Sequence, residues 1–157
     1  QTLAPKDGYL YCGGPGAGHF VKMVHNGIEY GMMQAYGEGF QLLEASPYAE
    51  SLDFGQVAHL WNQGSVVRSW LLELAEDAFR QDPTLTGITG YVEDSGEGRW
   101  TVQQAVESSV AIPVIALSLF QRFRSRQKDP FADRVLAALR REFGGHSVVH
   151  AGGEPEE

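Results

Sequence analysis

The feature that most constrains the fold is a long run of helical periodicity near the start of the chain. From His19 to about Ala45, apolar side chains recur at three- and four-residue spacing, which is the repeat of an amphipathic helix. The run ends at Ser46 and Pro47, because proline cannot continue a helix. No stretch alternates with the period of two that is typical of a strand, so the sequence predicts an all-α fold.

Capping and stop signals predict five further helices, giving about six in all with one long N-terminal helix. The second covers 52–61, and the third starts from an N-cap at Ser65 and runs to Phe79. Residues 83–98 are turn-rich and are predicted to be irregular. The fourth helix covers 100–111, the fifth begins at Pro113, and the sixth opens at Pro130 and ends at Gly144 and Gly145. We interpret 1–157 as one domain in which 147–157 form a flexible tail.

Composition excludes several classes of function. The 157 residues carry a formal net charge of −8, which is unsuited to binding a phosphate backbone. No apolar run approaches the roughly 20 residues that a membrane helix needs, so we expect no membrane partner. The single cysteine, Cys12, offers no intrachain disulfide and favours a reducing, cytoplasmic setting. Because the chain opens at Gln1, we expect it to be a fragment of a longer protein.

The glycines before the long helix resemble a dinucleotide-binding fingerprint. Gly13, Gly14, Gly16 and Gly18 have similar spacing, but such a fingerprint lies between a strand and a crossover helix that leads to a second strand. The following helix is too long for that unit and no second strand follows. We therefore do not interpret these glycines as a nucleotide site.

A polar stripe on the long helix carries the candidate chemistry. Lys22, Asn26 and Glu29 are spaced i, i+4 and i+7, so they share one face, with His25 on one side and Tyr30 on the other. A solvated surface is the alternative interpretation. The stripe favours a site because a lysine and a glutamate on one wall can move protons at two points of a substrate.

The run from Gly16 to Gly31 resembles the signature of 6-phosphogluconate dehydrogenases, which extends the pattern of the wider β-hydroxyacid dehydrogenase superfamily. Similar stretches follow in order at 61–62, 94–101, 119–122 and 140–146. The resemblance implies a C-terminal helical domain for substrate binding and dimerisation, in the short form of the family. It also implies an NAD or NADP cofactor bound mainly by an N-terminal domain that this chain lacks.

The resemblance further implies oxidation of 6-phosphogluconate at C3 and decarboxylation to ribulose 5-phosphate, a reaction of the pentose phosphate pathway. Lys22 matches the general base, which must be neutral to take the C3 hydroxyl proton and then serves as an acid. Glu29 matches the acid that protonates C1 of the enediol. No metal is required, and we expect the chain alone to be inactive.

The resemblance assigns substrate binding to six residues: His25, Asn26, Tyr30, Arg122, Arg140 and His146. His25 and Asn26 match residues that hold the substrate hydroxyls and carboxylate, and Asn26 also lies near the nicotinamide. Tyr30 and Arg122 match phosphate contacts. Arg140 and His146 match a pair that reaches into the neighbouring subunit's site, which implies a homodimer or a higher homo-oligomer.

Two departures keep other interpretations open. Ser95 and Glu97 stand where long members of the family have a lysine and a threonine that touch phosphate, and the carboxylate of Glu97 would repel a dianion. A related β-hydroxyacid dehydrogenase that acts on another sugar or hydroxy acid is therefore an alternative. A non-catalytic helical dimerisation module is a further alternative, against which the intact set Lys22, Asn26 and Glu29 argues.

Overall fold

The computed structural model describes residues 4–150, and within that range the regular structure is entirely helical. The elements are α1 (Ala17–Glu44), a short 3-10 helix (Ala49–Ser51), α2 (Phe54–Trp61), α3 (Trp70–Gln81), α4 (Glu97–Glu107), α5 (Pro113–Ser125) and α6 (Phe131–Gly144). The predicted all-α fold with one long N-terminal helix is confirmed. At 28 residues, α1 is about 42 Å long, and helices α2 to α5 pack against it.

The C-terminal half of α1 packs against α2 and α3 around an aromatic core. The Phe40 ring lies 4.8 Å from the Phe79 ring and 5.6 Å from the Trp61 ring, measured between centroids. Leu72 and Ala58, both at 0% exposure, complete the buried centre of this cluster. Burial of this apolar surface is the main stabilising term for this half of the molecule.

The N-terminal half of α1 packs against α4 and α5 at very short backbone separation. A methyl group at Gly27 would lie 2.8 Å from Thr101 Cγ2, and one at Gly98 would lie 2.6 Å from Tyr30 Cε2. The Thr101 hydroxyl lies 3.0 Å from the backbone carbonyl of Met23, to which it donates a hydrogen bond across the two helices. Glycine at these two positions thus lets α4 approach α1 closely.

Two predicted helix starts are wrong. The N-cap of α3 is Ser69, whose hydroxyl accepts a hydrogen bond from the Leu72 N–H at 3.2 Å. Ser65 instead donates to the Trp61 carbonyl and so serves the end of α2. Helix α4 begins at Glu97 and ends at Glu107, about three residues earlier at each end than predicted.

The last two helices follow the prediction more closely. Pro113 occupies the first turn of α5, and Gly145, at φ 61°, ends α6 in the left-handed conformation. Helix α6 is exposed along its length, and an ion pair between Arg124 and Asp133 links it to the end of α5. Residues 145–150 form no helix, and the rest of the predicted tail, 151–157, lies outside the described residues. Among the described helices, none has the length and apolar character to cross a membrane.

Candidate active site on helix α1

The predicted polar stripe is present on α1. The Lys22 ammonium donates a hydrogen bond to Asn26 Oδ1, and His25 Nδ1 lies 3.2 Å from that same oxygen. Lys22 and His25 are exposed, and Asn26 is half-buried. The Asn26 amide oxygen therefore contacts both Lys22 and His25 on an accessible face of α1.

Glu29 lies one turn further along and faces a different neighbour. Together with His25 it lines an open cleft of about 380 Å³ between α1 and α3. The opposite wall is apolar and includes Trp70 and Leu74. Lys22 and Glu29 are separated by about 10 Å along the helix axis, so they can serve opposite ends of a small substrate.

Tyr30 is the buried anchor of the stripe, at 5% exposure. Its hydroxyl accepts a hydrogen bond from the Ser95 N–H at 3.2 Å. The Arg122 guanidinium lies over the Tyr30 ring, 3.7 Å from its centroid, and donates to the Glu93 carbonyl at 2.7 Å. The structure thus brings Tyr30 and Arg122 together, and their role as phosphate contacts stays a prediction.

The first residue of α4, Glu97, supplies a negative charge beside the stripe. Ser95 donates to the Glu97 carboxylate, and this hydrogen bond lowers the pKa of Glu97. The Glu97 backbone N–H and the Lys22 ammonium act in the same direction, whereas partial burial opposes them. Glu97 and Lys22 are therefore electrostatic neighbours at this face.

Asp94 forms a buried ion cluster that the sequence did not reveal. Its side chain is 3% exposed and bonds to Arg99 at 2.6 and 3.0 Å and to Arg126 at 3.0 Å. The hydrogen bond from Arg99 is the main cause that lowers the pKa of Asp94 to about 2, with Arg126 assisting against the effect of burial. Arg126 is therefore a structural partner of Asp94. A loop aspartate that bonds to an arginine on α4 and to another just after α5 leaves no spacing signal in the sequence.

The structure does not bring every predicted site residue to this face. Arg140 lies on exposed α6, and the His146 ring packs edge-on against Phe143 at 6.3 Å. Within residues 4–150 neither forms a hydrogen bond or an ion pair with the stripe on α1. Their assignment to a neighbouring subunit's site stays a prediction.

The glycine-rich opening leads directly into α1. Gly16, at φ 90°, is the N-cap residue, and within 4–16 the described chain forms no strand. A dinucleotide fold needs a strand at that position, so these glycines do not form one within the described chain. Of the predicted residues, Asn26 is the one assigned to the cofactor, and this role stays a prediction.

Comparison with known proteins identifies relatives for nearly the whole chain. A family model described as 6-phosphogluconate dehydrogenase, C-terminal domain, matches residues 18–148. A putative 6-phosphogluconate dehydrogenase of Bacillus subtilis is 55% identical over 148 residues, covering 94% of this chain and 49% of the relative. An NAD(+)-dependent, decarboxylating 6-phosphogluconate dehydrogenase of Haloferax volcanii is 50% identical over 144 residues, covering 91% and 48%.

A solved structure gives the same result at the level of the fold. The 6-phosphogluconate dehydrogenase of Plasmodium falciparum, described in its apo form, with NADP+ and with 6-phosphogluconate, superposes with a TM-score of 0.65 at 26% identity. The match covers 92% of this chain and 31% of that one. The chain spans about half the length of the two relatives above. It belongs to the 6-phosphogluconate dehydrogenase family and corresponds to the helical C-terminal domain of those enzymes.

Proposed function

We propose that this chain is the substrate-binding and catalytic domain of an NAD- or NADP-dependent enzyme that oxidises and decarboxylates 6-phosphogluconate to ribulose 5-phosphate. The observation that carries the proposal is the cluster of Lys22, His25 and Asn26 around one amide oxygen, on a helix that also presents Glu29. The nucleotide is assigned to a domain outside this chain. The single cysteine, Cys12, fits a reducing cytoplasmic location.

Proton movements in this proposal use the two ends of the stripe. Lys22, in its neutral form, would take the C3 hydroxyl proton, and a bound nicotinamide would supply the acceptor for the hydride that leaves the same carbon. Loss of carbon dioxide from the resulting 3-keto acid leaves an enediol, and Glu29 gives a proton to C1 of that enediol. Lys22 first returns its proton to the C3 oxygen as the enediol forms and then takes it again as the ketone forms. Asn26 holds Lys22 in place through Oδ1.

The phosphate end of the site is proposed at Tyr30 and Arg122. Stacking over the Tyr30 ring and the hydrogen bond to the Glu93 carbonyl fix the plane of the guanidinium. A fixed planar fork suits two phosphate oxygens better than a flexible ammonium would. The neighbouring Glu97 carboxylate favours a second candidate, a related β-hydroxyacid dehydrogenase whose substrate lacks the phosphate.

The test uses the enzyme assembled from this chain and a nucleotide-binding domain. We expect NAD(P)H formation with 6-phosphogluconate, weak activity with gluconate, and none from the chain alone. Lys22→Ala should abolish turnover while calorimetry still detects substrate binding, and Glu29→Gln should slow turnover while sparing hydride transfer. Lys128→Ala removes an exposed lysine outside the stripe and is the matched control. Near-normal kcat in Lys22→Ala would refute the assigned base, and a preference for gluconate would favour the second candidate.

We also propose that Arg140 and His146 complete the phosphate end of a second subunit's site in a homodimer or a higher homo-oligomer. Support comes from the position of Arg140 on the exposed helix α6 and of His146 just after it, away from the stripe of their own chain. Inactive Lys22→Ala and Arg140→Ala enzymes, mixed and reassembled, should regain part of the activity. Mixed oligomers that form but stay inactive would place Arg140 outside the partner's site.

A further inference from the structure

The segment 92–95 is held at successive residues against three helices. The Val92 N–H donates to Ser125 Oγ at 3.0 Å, and the Glu93 carbonyl accepts from Arg122 at 2.7 Å. Two residues further on, the Ser95 N–H donates to the hydroxyl of Tyr30 on α1. These three bonds use backbone groups of the segment, so its path decides where they can form.

Between these bonds, Asp94 supplies the side-chain anchor of the segment. Its carboxylate receives two hydrogen bonds from Arg99 on α4 and one from Arg126, which follows α5. Both guanidiniums also lie over the Phe123 ring, 4.6 and 5.2 Å from its centroid. An aspartate side chain at 3% exposure with two charged donors is a strong local constraint, because leaving this carboxylate without its donors would be costly.

The neighbours of Asp94 contact the two side chains proposed to bind phosphate. Glu93 holds Arg122, and Ser95 holds Tyr30. The same cluster keeps the Arg99 and Arg126 guanidiniums bonded to a carboxylate. Arg122, by contrast, is bound through a carbonyl oxygen, so its charge remains for an anion.

We propose that Asp94 is a positioning residue for the substrate site, because its ion pairs with Arg99 and Arg126 hold Glu93 and Ser95 against Arg122 and Tyr30. It acts through these neighbours and does not touch substrate. The inference rests on the proposed function, since it takes Tyr30 and Arg122 to be the phosphate contacts. It adds a specificity determinant in the segment before α4, which acts through Tyr30 and Arg122.

The experiment compares kinetic constants of Asp94→Asn in the enzyme that contains a nucleotide-binding domain. Loss of the ion pairs should raise KM for 6-phosphogluconate by about tenfold or more through misplacement of Tyr30 and Arg122. The KM for the nucleotide and kcat should change by less than about threefold, since the hydrogen bonds that join Lys22, His25 and Asn26 lie within α1. Asp94→Glu, which keeps the charge, should recover part of the loss.

Asp77→Asn is the matched control, because it removes the carboxylate of another arginine pair, with Arg80 on α3 at 3.9 Å, and should leave both KM values unchanged. A folded Asp94→Asn enzyme with normal KM for 6-phosphogluconate overturns the inference, as does an equal rise in both KM values. Should that variant not fold, Arg99→Gln keeps the Arg126 pair, and an unchanged KM there overturns it as well. A parent enzyme without 6-phosphogluconate turnover overturns the proposed function and this inference with it.

Discussion

The close approach of α4 to α1 predicts that Gly98→Ala destabilises the domain, although alanine is the better helix former. The added methyl would lie 2.6 Å from Cε2 and 2.9 Å from Cδ2 of the Tyr30 ring. That ring cannot move aside easily, because Arg122 covers its face and Ser95 holds its hydroxyl. The overlap must therefore be relieved by separating the two helices or by displacing the ring from its buried position.

The magnitude follows from two opposing terms. Alanine in place of glycine inside a helix gains about 1 kcal/mol, and overpacking of a buried contact costs about 1–3 kcal/mol. Because the 2.6 Å contact involves a fixed aromatic ring, we expect the upper part of that range and a net loss of about 1–2 kcal/mol. For a chain of 157 residues this lowers Tm by about 2–8 °C, measured by far-ultraviolet circular dichroism.

Gly37→Ala is the matched control on the exposed face of α1. No atom lies within 4 Å of the methyl that it would add, so only the gain of about 1 kcal/mol applies. The difference in unfolding free energy between the two variants removes the shared helix-propensity term and measures the overlap itself. If Gly98→Ala were as stabilising as Gly37→Ala, the inferred close packing of Tyr30 beneath α4 would be refuted.

Three further predictions concern stability. The hydrogen bond from Arg99 lowers the pKa of Asp94 from its ordinary value of 3.8 to about 2. The ionised Asp94 therefore stabilises the fold most fully at a pH above that ordinary pKa. Its advantage over Asp94→Asn in unfolding free energy should therefore shrink as pH falls from about 4 to 2 in an acid titration, and a constant difference would contradict this. Ser69→Ala removes the cap bond to Leu72 and should cost about 1 kcal/mol in urea unfolding, with an unchanged midpoint counting against the cap. Phe79→Ala opens the aromatic core and should cost about 3–5 kcal/mol in the same assay, and a loss below 1 kcal/mol would show that the core collapses around the gap.

Local signals were sufficient for most of the helical architecture. The 3.6-residue period of α1 needs no tertiary information, and Pro113 and Gly145 mark helix ends through their own backbone preferences. Ser65 shows where a local signal misleads. It is a good capping residue four positions before the real cap, but its hydroxyl bonds backwards to Trp61, a choice that depends on how α2 ends.

The boundaries of α4 depended on contacts that sequence reasoning could not supply. Gly96, at φ 99°, allows the helix to start at Glu97, and Thr101 fixes it against α1. At the other end Ser109 adopts φ 56°, which is uncommon for a residue with a side chain, and terminates the helix before Ala111. The start of α4 thus combines a glycine with docking on α1, whereas its end lies at a backbone conformation that the preference of serine does not predict.

Part of the candidate site was likewise predictable from the sequence and part was not. The order of Lys22, Asn26 and Glu29 along one face was predictable, because all three lie on one helix. The bond between Ser95 and Tyr30 spans 65 residues and uses a backbone donor, which any residue except proline could provide. The contribution of segment 92–95 to the site therefore could not be predicted from the sequence and is visible only in the three-dimensional structure.

The contacts that stabilise the domain and the contacts that position the site residues lie at different places along helix α1. Phe40, at the centre of the aromatic core, is 14 residues beyond Asn26, which corresponds to about 21 Å along the helix axis. Near the stripe, α1 is contacted by α4, by α5 and by the segment before α4. A defect in the core should therefore reduce stability while leaving the geometry around Asn26 intact, because a rigid helix transmits little distortion over four turns. A change at Gly98 should both reduce stability and disturb the geometry of the site, since its neighbour Tyr30 belongs to the packing and to the site.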